Sequence, residues 1–258
     1  MTAPPLPLIR TSLAGLSLPG QWLRRVAAPL DFEEVDAAQR RAIAEGLLAA
    51  MHAPPGGVGL AATMAGLDLR LVIAEDEGRT LVMVNPEVTA TGGPTVTMTE
   101  GNLCLPAVSG EVARSATVTV RWLDLDARPH EERFDGWLAR ILLHELELLD
   151  GRFFTDHVAR TSLAGLGAPG EPPRVLTLPP QLHGLRRTVL RQPPAAVADT
   201  GISARALERL IESLREAMRA AGLPALTAPQ IGVGLRVEVV DGPEPLTLID
   251  GLPRDAPG

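Results

Sequence analysis

The spacing of apolar positions divides this chain into a small set of elements. Ile43, Leu47, Leu48 and Met51 recur at helical intervals, which predicts a helix over 33–52 with one buried face. Residues 69–75 read as a β-strand. A second strand, 80–84, is expected to stop at Asn85-Pro86, since proline cannot donate to a sheet ladder. Polar and apolar residues alternate from Thr117 to Trp122, the pattern of a half-exposed strand. Helical spacing returns over 136–149, where Leu138, Ile141, Leu142, Glu145 and Leu148 lie on overlapping faces. Such a mixture of elements predicts an α+β fold.

The second half of the chain repeats part of the first. Leu207, Leu210, Ile211, Leu214 and Met218 form another amphipathic stripe, with Ser203 placed to cap the helix and Gly222 to end it. After it, Ala225-Leu226-Thr227-Ala228-Pro229-Gln230-Ile231-Gly232 aligns with the run from Gly59 to Gly66 that follows the first helix. Ahead of each helix, the run from Leu185 to Arg191 parallels that from Gln21 to Val26. Clustered Pro and Gly, from Gly167 to Pro180, mark a linker. The expected organisation is a complete domain over 1–164, a linker over 165–180 and a partial copy over 181–258. The copy is expected to pack on the first domain as half of a pseudo-dimer.

Composition narrows the chemistry. All 24 basic residues are arginine, and neither lysine nor tyrosine occurs, which excludes a Schiff-base lysine, a phosphate-loop lysine and a tyrosine acid or base. A net charge of −7 without long arginine runs argues against nucleic acid as a partner. The lone Cys104 permits no intramolecular disulfide, in keeping with a reducing cytoplasm. No apolar run is long enough to predict a membrane span.

Three ordered motifs carry the candidate chemistry. Gly57-Val58-Gly59-Leu60-Ala61-Ala62-Thr63-Met64 resembles the Gly-x-Gly-Leu-Ala-Ala-x-Gln motif of peptide deformylases. Glu100-Gly101-Asn102-Leu103-Cys104-Leu105-Pro106 resembles their Glu-Gly-Cys-Leu-Ser-x-Pro motif. The segment ending in His144-Glu145-Leu146-Glu147-Leu148 resembles their His-Glu-x-Asp-His helix, which sets two imidazoles one turn apart beside a glutamate. Over residues 20 to 160 the resemblance implies a deformylase-like fold of antiparallel sheets around a central motif helix. It identifies 153–154 with a final apolar strand and 181–258 with a truncated second copy that lacks the later two motifs.

The resemblance also implies Fe2+ or Zn2+ on a Cys and two His, and removal of formyl groups from N-terminal methionine. By position, those ligands are Asn102, His144 and Leu148, so one of the three remains. Met64 stands at the oxyanion glutamine, Glu145 at the proton-transferring glutamate, and the Leu103 backbone N–H at an oxyanion donor. A catalytic zinc needs three protein ligands, so no metal is expected unless Cys104 or Glu147 substitutes as ligand for Fe or Zn. A metal-free alternative uses Cys104 as nucleophile with His144 and Glu145.

The cleft is expected to be bounded by Gly59, Asn102 and Leu148, with Gln230 reaching in if the second copy docks that way. Leu148 extends the apolar face of the helix and can close the pocket floor, while Asn102 is expected to bond His144. A scaffold or binding role for an acyl-amino-acid or peptide ligand follows, with amide or acyl chemistry as the alternative.

Overall fold

The computed structural model describes residues 4–159, 162–165, 173–243 and 245–254. A short helix, α1 (Leu13–Leu16), precedes the main helix α2 (Ala37–His52). The start of α2 falls at Ala37 rather than 33 because Asp36 and Gln39 form a reciprocal capping box there. Strands β1 (Gly59–Ala61), β2 (Leu71–Asp76), β3 (Arg79–Asn102), β4 (Leu105–Leu123) and β5 (Pro129–Asp135) form one antiparallel sheet in that order. The motif helix α3 (Gly136–Leu149) follows and packs on β1, β2 and β4. Its buried side meets Leu47, Met51, Leu60, Ile73, Met83, Val118 and Val120 in one apolar core.

Two local expectations change. The strand predicted to end at Asn85-Pro86 runs on to Asn102. Its pairing with β2 stops at Val84, and its pairing with β4 shifts register between Val84 and Glu87. Pro86 therefore sits at a bulge where no neighbour requires its missing N–H. Phe153-Phe154 is no strand: Phe153 is extended, Phe154 opens a 3-10 turn, and both rings are buried.

In the second half, α4 (Ala204–Ala221) carries the Ser203 and Gly222 caps. Strands β6 (Ala225–Thr227), β7 (Val237–Val240), β8 (Leu246–Ile249) and β9 (Leu252–Pro253) form a second antiparallel sheet. The two halves have matching local geometry. Each has a three-residue strand, a 3-10 turn and a left-handed glycine, Gly66 at φ 75° and Gly232 at φ 83°. Only glycine takes that conformation without penalty. Asn85 and Asp250, both with positive φ, accept backbone N–H bonds from Leu30 (2.7 Å) and Val197 (2.8 Å).

Contacts between the halves are reciprocal. Trp22 N–H donates to Gly232 O at 2.9 Å, and Val189 N–H donates to Gly66 O at 2.8 Å. Gly234 N–H donates to Gly20 O at 2.8 Å, and Asp68 N–H to Arg187 O at 2.9 Å. This is the pattern of a two-fold interface, in which each side offers the same patch to the other. It sets Thr188 and Val189 in the places of Gln21 and Trp22, three residues along from the alignment that begins at Leu185. Leu176, inside the expected linker, bonds Gln230 O as Ile9 bonds Met64 O, both at 2.8 Å. Residues 166–172, with Gly167, Pro169, Gly170 and Pro172, lie outside the described residues.

Leu176, Leu182, Leu185 and Val189 belong to the core of the first half. Leu182→Ala is therefore expected to lower the stability of the whole chain by ~2–5 kcal/mol, through lost burial and a residual cavity. Urea denaturation followed by tryptophan fluorescence checks this, because Trp22 and Trp122 are buried in that same core. An unchanged midpoint would refute the shared core.

Candidate functional site

The candidate site forms where β1, the β3–β4 turn and α3 converge. At its base is Glu100, almost fully buried near the end of β3. Its carboxylate accepts from Arg114 Nε at 2.6 Å and Nη2 at 2.8 Å, from Arg140 Nη1 at 2.6 Å, and pairs with His144 Nδ1 at 2.9 Å. Burial alone would raise this carboxyl, but hydrogen bonds from His144 and Arg114 outweigh it and hold the group down at about 2. Arg114 also reaches Glu147 Oε2 at 2.9 Å.

His144 is fixed from both sides. A carboxylate only accepts, and the Asn102 amide nitrogen, 3.3 Å from Nε2, only donates. The neutral imidazole with its proton on Nδ1 satisfies both partners, which assigns the tautomer by chemistry. The lone pair of Nε2, the one that would face an ion, is thus directed at an amide N–H. Asn102 is held in turn: its Oδ1 accepts from the Cys104 N–H at 2.8 Å, and its Nδ2 lies 3.9 Å from Met64 Sδ. The expected Asn102–His144 bond is present.

Glu145, the next residue on α3, is buried against β1. Desolvation pushes its carboxyl up to about 7 against the opposing pull of His144 and the Ala61 N–H. Its Oε2 has no hydrogen-bond partner. Gly59 makes this approach possible, because a Cβ there would come within 2.8 Å of both Glu145 and Ile141. A cavity of about 470 Å³ opens between these groups, walled by Gly59, Met64, Asn102, Leu103, His144 and Glu145.

Several sequence-level candidates lie elsewhere. Cys104 is fully buried with Sγ toward Met64 O at 3.8 Å, and burial raises its thiol far above the ordinary range. It does not line the cavity, so it serves neither as nucleophile nor as substitute ligand. Glu147 faces away from His144 and is held by Arg114 and by His157 Nε2 at 2.9 Å, which removes it as a ligand as well. Leu148 is in the core and does not border the cavity, so the pocket floor is not closed by it. Gln230 stays in its own half, where Oε1 accepts from Thr227 N–H at 2.9 Å and pairs with Thr227 Oγ1 at 3.0 Å. It reaches a separate cavity of about 560 Å³ and not the first cleft.

Sequence reasoning passed over the Glu100–Arg114–Arg140 network, although Glu100 opens a recognised motif. It also missed Arg10, which lines the cavity from the N-terminal segment. No local pattern marks either, because their partners are distant along the chain.

The family's iron or zinc would rest on the positions of Asn102, His144 and Leu148. An amide already bonded to the imidazole and a leucine with no lone pair do not fit such an ion. Among the described residues, no three or more His, Cys, Asp or Glu side chains are placed to hold a metal. No helix among them is long and apolar enough to cross a membrane.

The model of the polypeptide deformylase family matches residues 16–163. A peptide deformylase of Afipia carboxidovorans is 35% identical over 150 residues, covering 56% of this chain and 85% of the relative. Peptide deformylase 1 of Streptomyces coelicolor is 38% identical over 164 residues, covering 58% and 74%. Among solved structures, a class I type b peptide deformylase from Acinetobacter baumannii with Met-Ala-Ser bound is 29% identical. It aligns over 59% of this chain and 98% of its own, with a TM-score of 0.53. The deformylase of Synechococcus elongatus in complex with actinonin is 30% identical over 63% and 84%, with a TM-score of 0.54. The three ordered motifs, the sheet wrapped about α3 and these likenesses agree: the chain belongs to the peptide deformylase family.

Proposed function

We propose that this protein binds a small acyl-amino-acid or peptide ligand in the deformylase cleft and does not deformylate. One observation carries the reading: at 3.3 Å, the amide of Asn102 occupies the imidazole nitrogen that an ion would need. Loss of the sulfur and of the second imidazole removes the means to lower the pKa of a bound water, and with it the nucleophile for formamide hydrolysis. The cleft itself is retained and open, and its walls suit an apolar ligand with polar ends. A relative with Met-Ala-Ser bound supports a peptide-like occupant.

A second reading has one observation in its favour. Glu145, held near neutrality in the cleft, is poised to take or give a proton at physiological pH. Acyl chemistry through Glu145 with His144 would use it. The second half we read as an internal, truncated copy whose role is structural, completing a pseudo-dimer within one chain. The reciprocal backbone bonds support this. A cytoplasmic location accords with the family relationship.

Elemental mass spectrometry of the untagged protein is expected to find metal well below one per chain, with no release of formate from formyl-Met-Ala-Ser. Near-stoichiometric iron, zinc or nickel would refute the reading. Formate release without metal would favour the second reading.

Restoring the ligands by Asn102→Cys with Leu148→His is expected to produce zinc binding, since Asn102 at the end of β3 lies against His144 and position 148 is one helical turn from it on α3. Isothermal titration with zinc tests this, and absence of uptake would mean that the walls have moved.

Glu145 also predicts a pH signature. Its folded carboxyl, raised from the ordinary glutamate range to about 7, binds more protons than the unfolded one, so its contribution falls as pH rises across that window. The stability of the wild type relative to Glu145→Gln should decline by on the order of 3 kcal/mol between pH 4 and pH 8. Urea midpoints at a series of pH values check this, and a constant difference would contradict it.

A further inference from the structure

Among the described residues, Arg10 is the one arginine with a buried donor left without a partner. Arg40 bonds the carbonyls of Val35 and Leu125 and stacks on Phe32, while Arg114 and Arg140 converge on Glu100. Arg10 is 8% exposed and lines the cleft. Its Nη1 donates to Leu103 O at 2.5 Å, and its Nε is buried without a partner. Nη2 makes no hydrogen bond among the described residues, and no carboxylate among them forms an ion pair with this guanidinium. A buried cation left in that state costs several kcal/mol unless something compensates it.

The surroundings say what compensates. Backbone bonds from Ile9 N–H to Met64 O and from Thr11 N–H to Cys104 O, both 2.8 Å, clamp the segment between two cleft walls. The guanidinium is therefore presented by a rigid backbone. The guanidinium lines the cleft, and its Nη2, unbonded among the described residues, is a donor that a ligand carboxylate can meet. Met64, Val58, Leu105 and Ile141 give the remaining wall an apolar character, and Trp137, 44% exposed, stands at the mouth. Glu100, the strongest anion present, is already satisfied by Arg114, Arg140 and His144 and does not compete for Arg10.

We propose that the cleft takes a small amphiphilic molecule ending in a carboxylate, with Arg10 holding the carboxylate and the apolar wall holding its body. This rests on the ligand-binding reading of the cleft and specifies the ligand's chemical class. One guanidinium without an ion pair suits a monoanion, since a phosphate dianion would find no second unpaired cation among the described residues lining the cavity.

Titration calorimetry with N-acetyl-L-leucine and N-acetyl-L-leucinamide provides the test, because the two probes differ only in carrying –COO⁻ or –CONH2. The acid is expected to bind the wild-type chain roughly tenfold or more tightly than the amide. In Arg10→Met the two should bind alike, and Arg10→Lys should retain part of the preference. If Arg10→Met fails to fold, the wild-type comparison and Arg10→Lys still decide. Equal binding of both probes would overturn the role of Arg10 while leaving the ligand-binding cleft standing. Binding of neither probe would overturn the carboxylate assignment, as would an acid preference that survives Arg10→Met. Stoichiometric metal would defeat the underlying reading separately, and the acid-to-amide ratio would still judge Arg10.

Discussion

The buried carboxylate of Glu100 organises the site. Two guanidinium groups and an imidazole meet on its two oxygens, joining β3, β4 and α3 at a single point. Removing one member of such a network strands the others as uncompensated charge, at a cost of ~3–5 kcal/mol, so the members persist or fail together. The imidazole is part of the scaffold, oriented by Glu100 whether or not anything sits on its far nitrogen.

The neighbouring changes form a mutually consistent set. Asn102 places an amide against the imidazole and uses its oxygen to tie down the Cys104 N–H, so a polar residue in the cleft wall is satisfied on both ends. Leu148 joins the apolar core, where a histidine would have needed a partner. Met64 fills the place of a glutamine with a side chain that makes few demands. Against this satisfied background, the Nε of Arg10 and the Oε2 of Glu145 stand out as buried polar atoms without partners among the described residues.

The second half is tied to the first by main-chain hydrogen bonds in reciprocal pairs and by leucines inserted into the first core. Backbone pairing is indifferent to side-chain identity, so reciprocal bonds of this kind do not require the two halves to share side chains.

Much of the architecture was legible in sequence because it depends on local rules. The span of α3 follows from helical period, the ends of α4 from a serine cap and a left-handed glycine, and the family from three ordered motifs. Strand 80–84 was cut short because proline is a local signal, while its tolerance at a bulge depends on which neighbouring strand has already ended. Position along the chain likewise identified Asn102, His144 and Glu145, yet it set Cys104 beside Asn102 when the tight turn between β3 and β4 puts the thiol in the core. Gln230 looked like a replacement for Met64 by alignment, and a hydrogen bond to its own Thr227 keeps it at home. The sequence by itself determined the family and the elements, since each depends on residue type and local spacing. Tertiary structure alone decided the charge network on Glu100, the open cleft and the exposed need of Arg10, because burial and pairing are properties of residues brought together from distant parts of the chain.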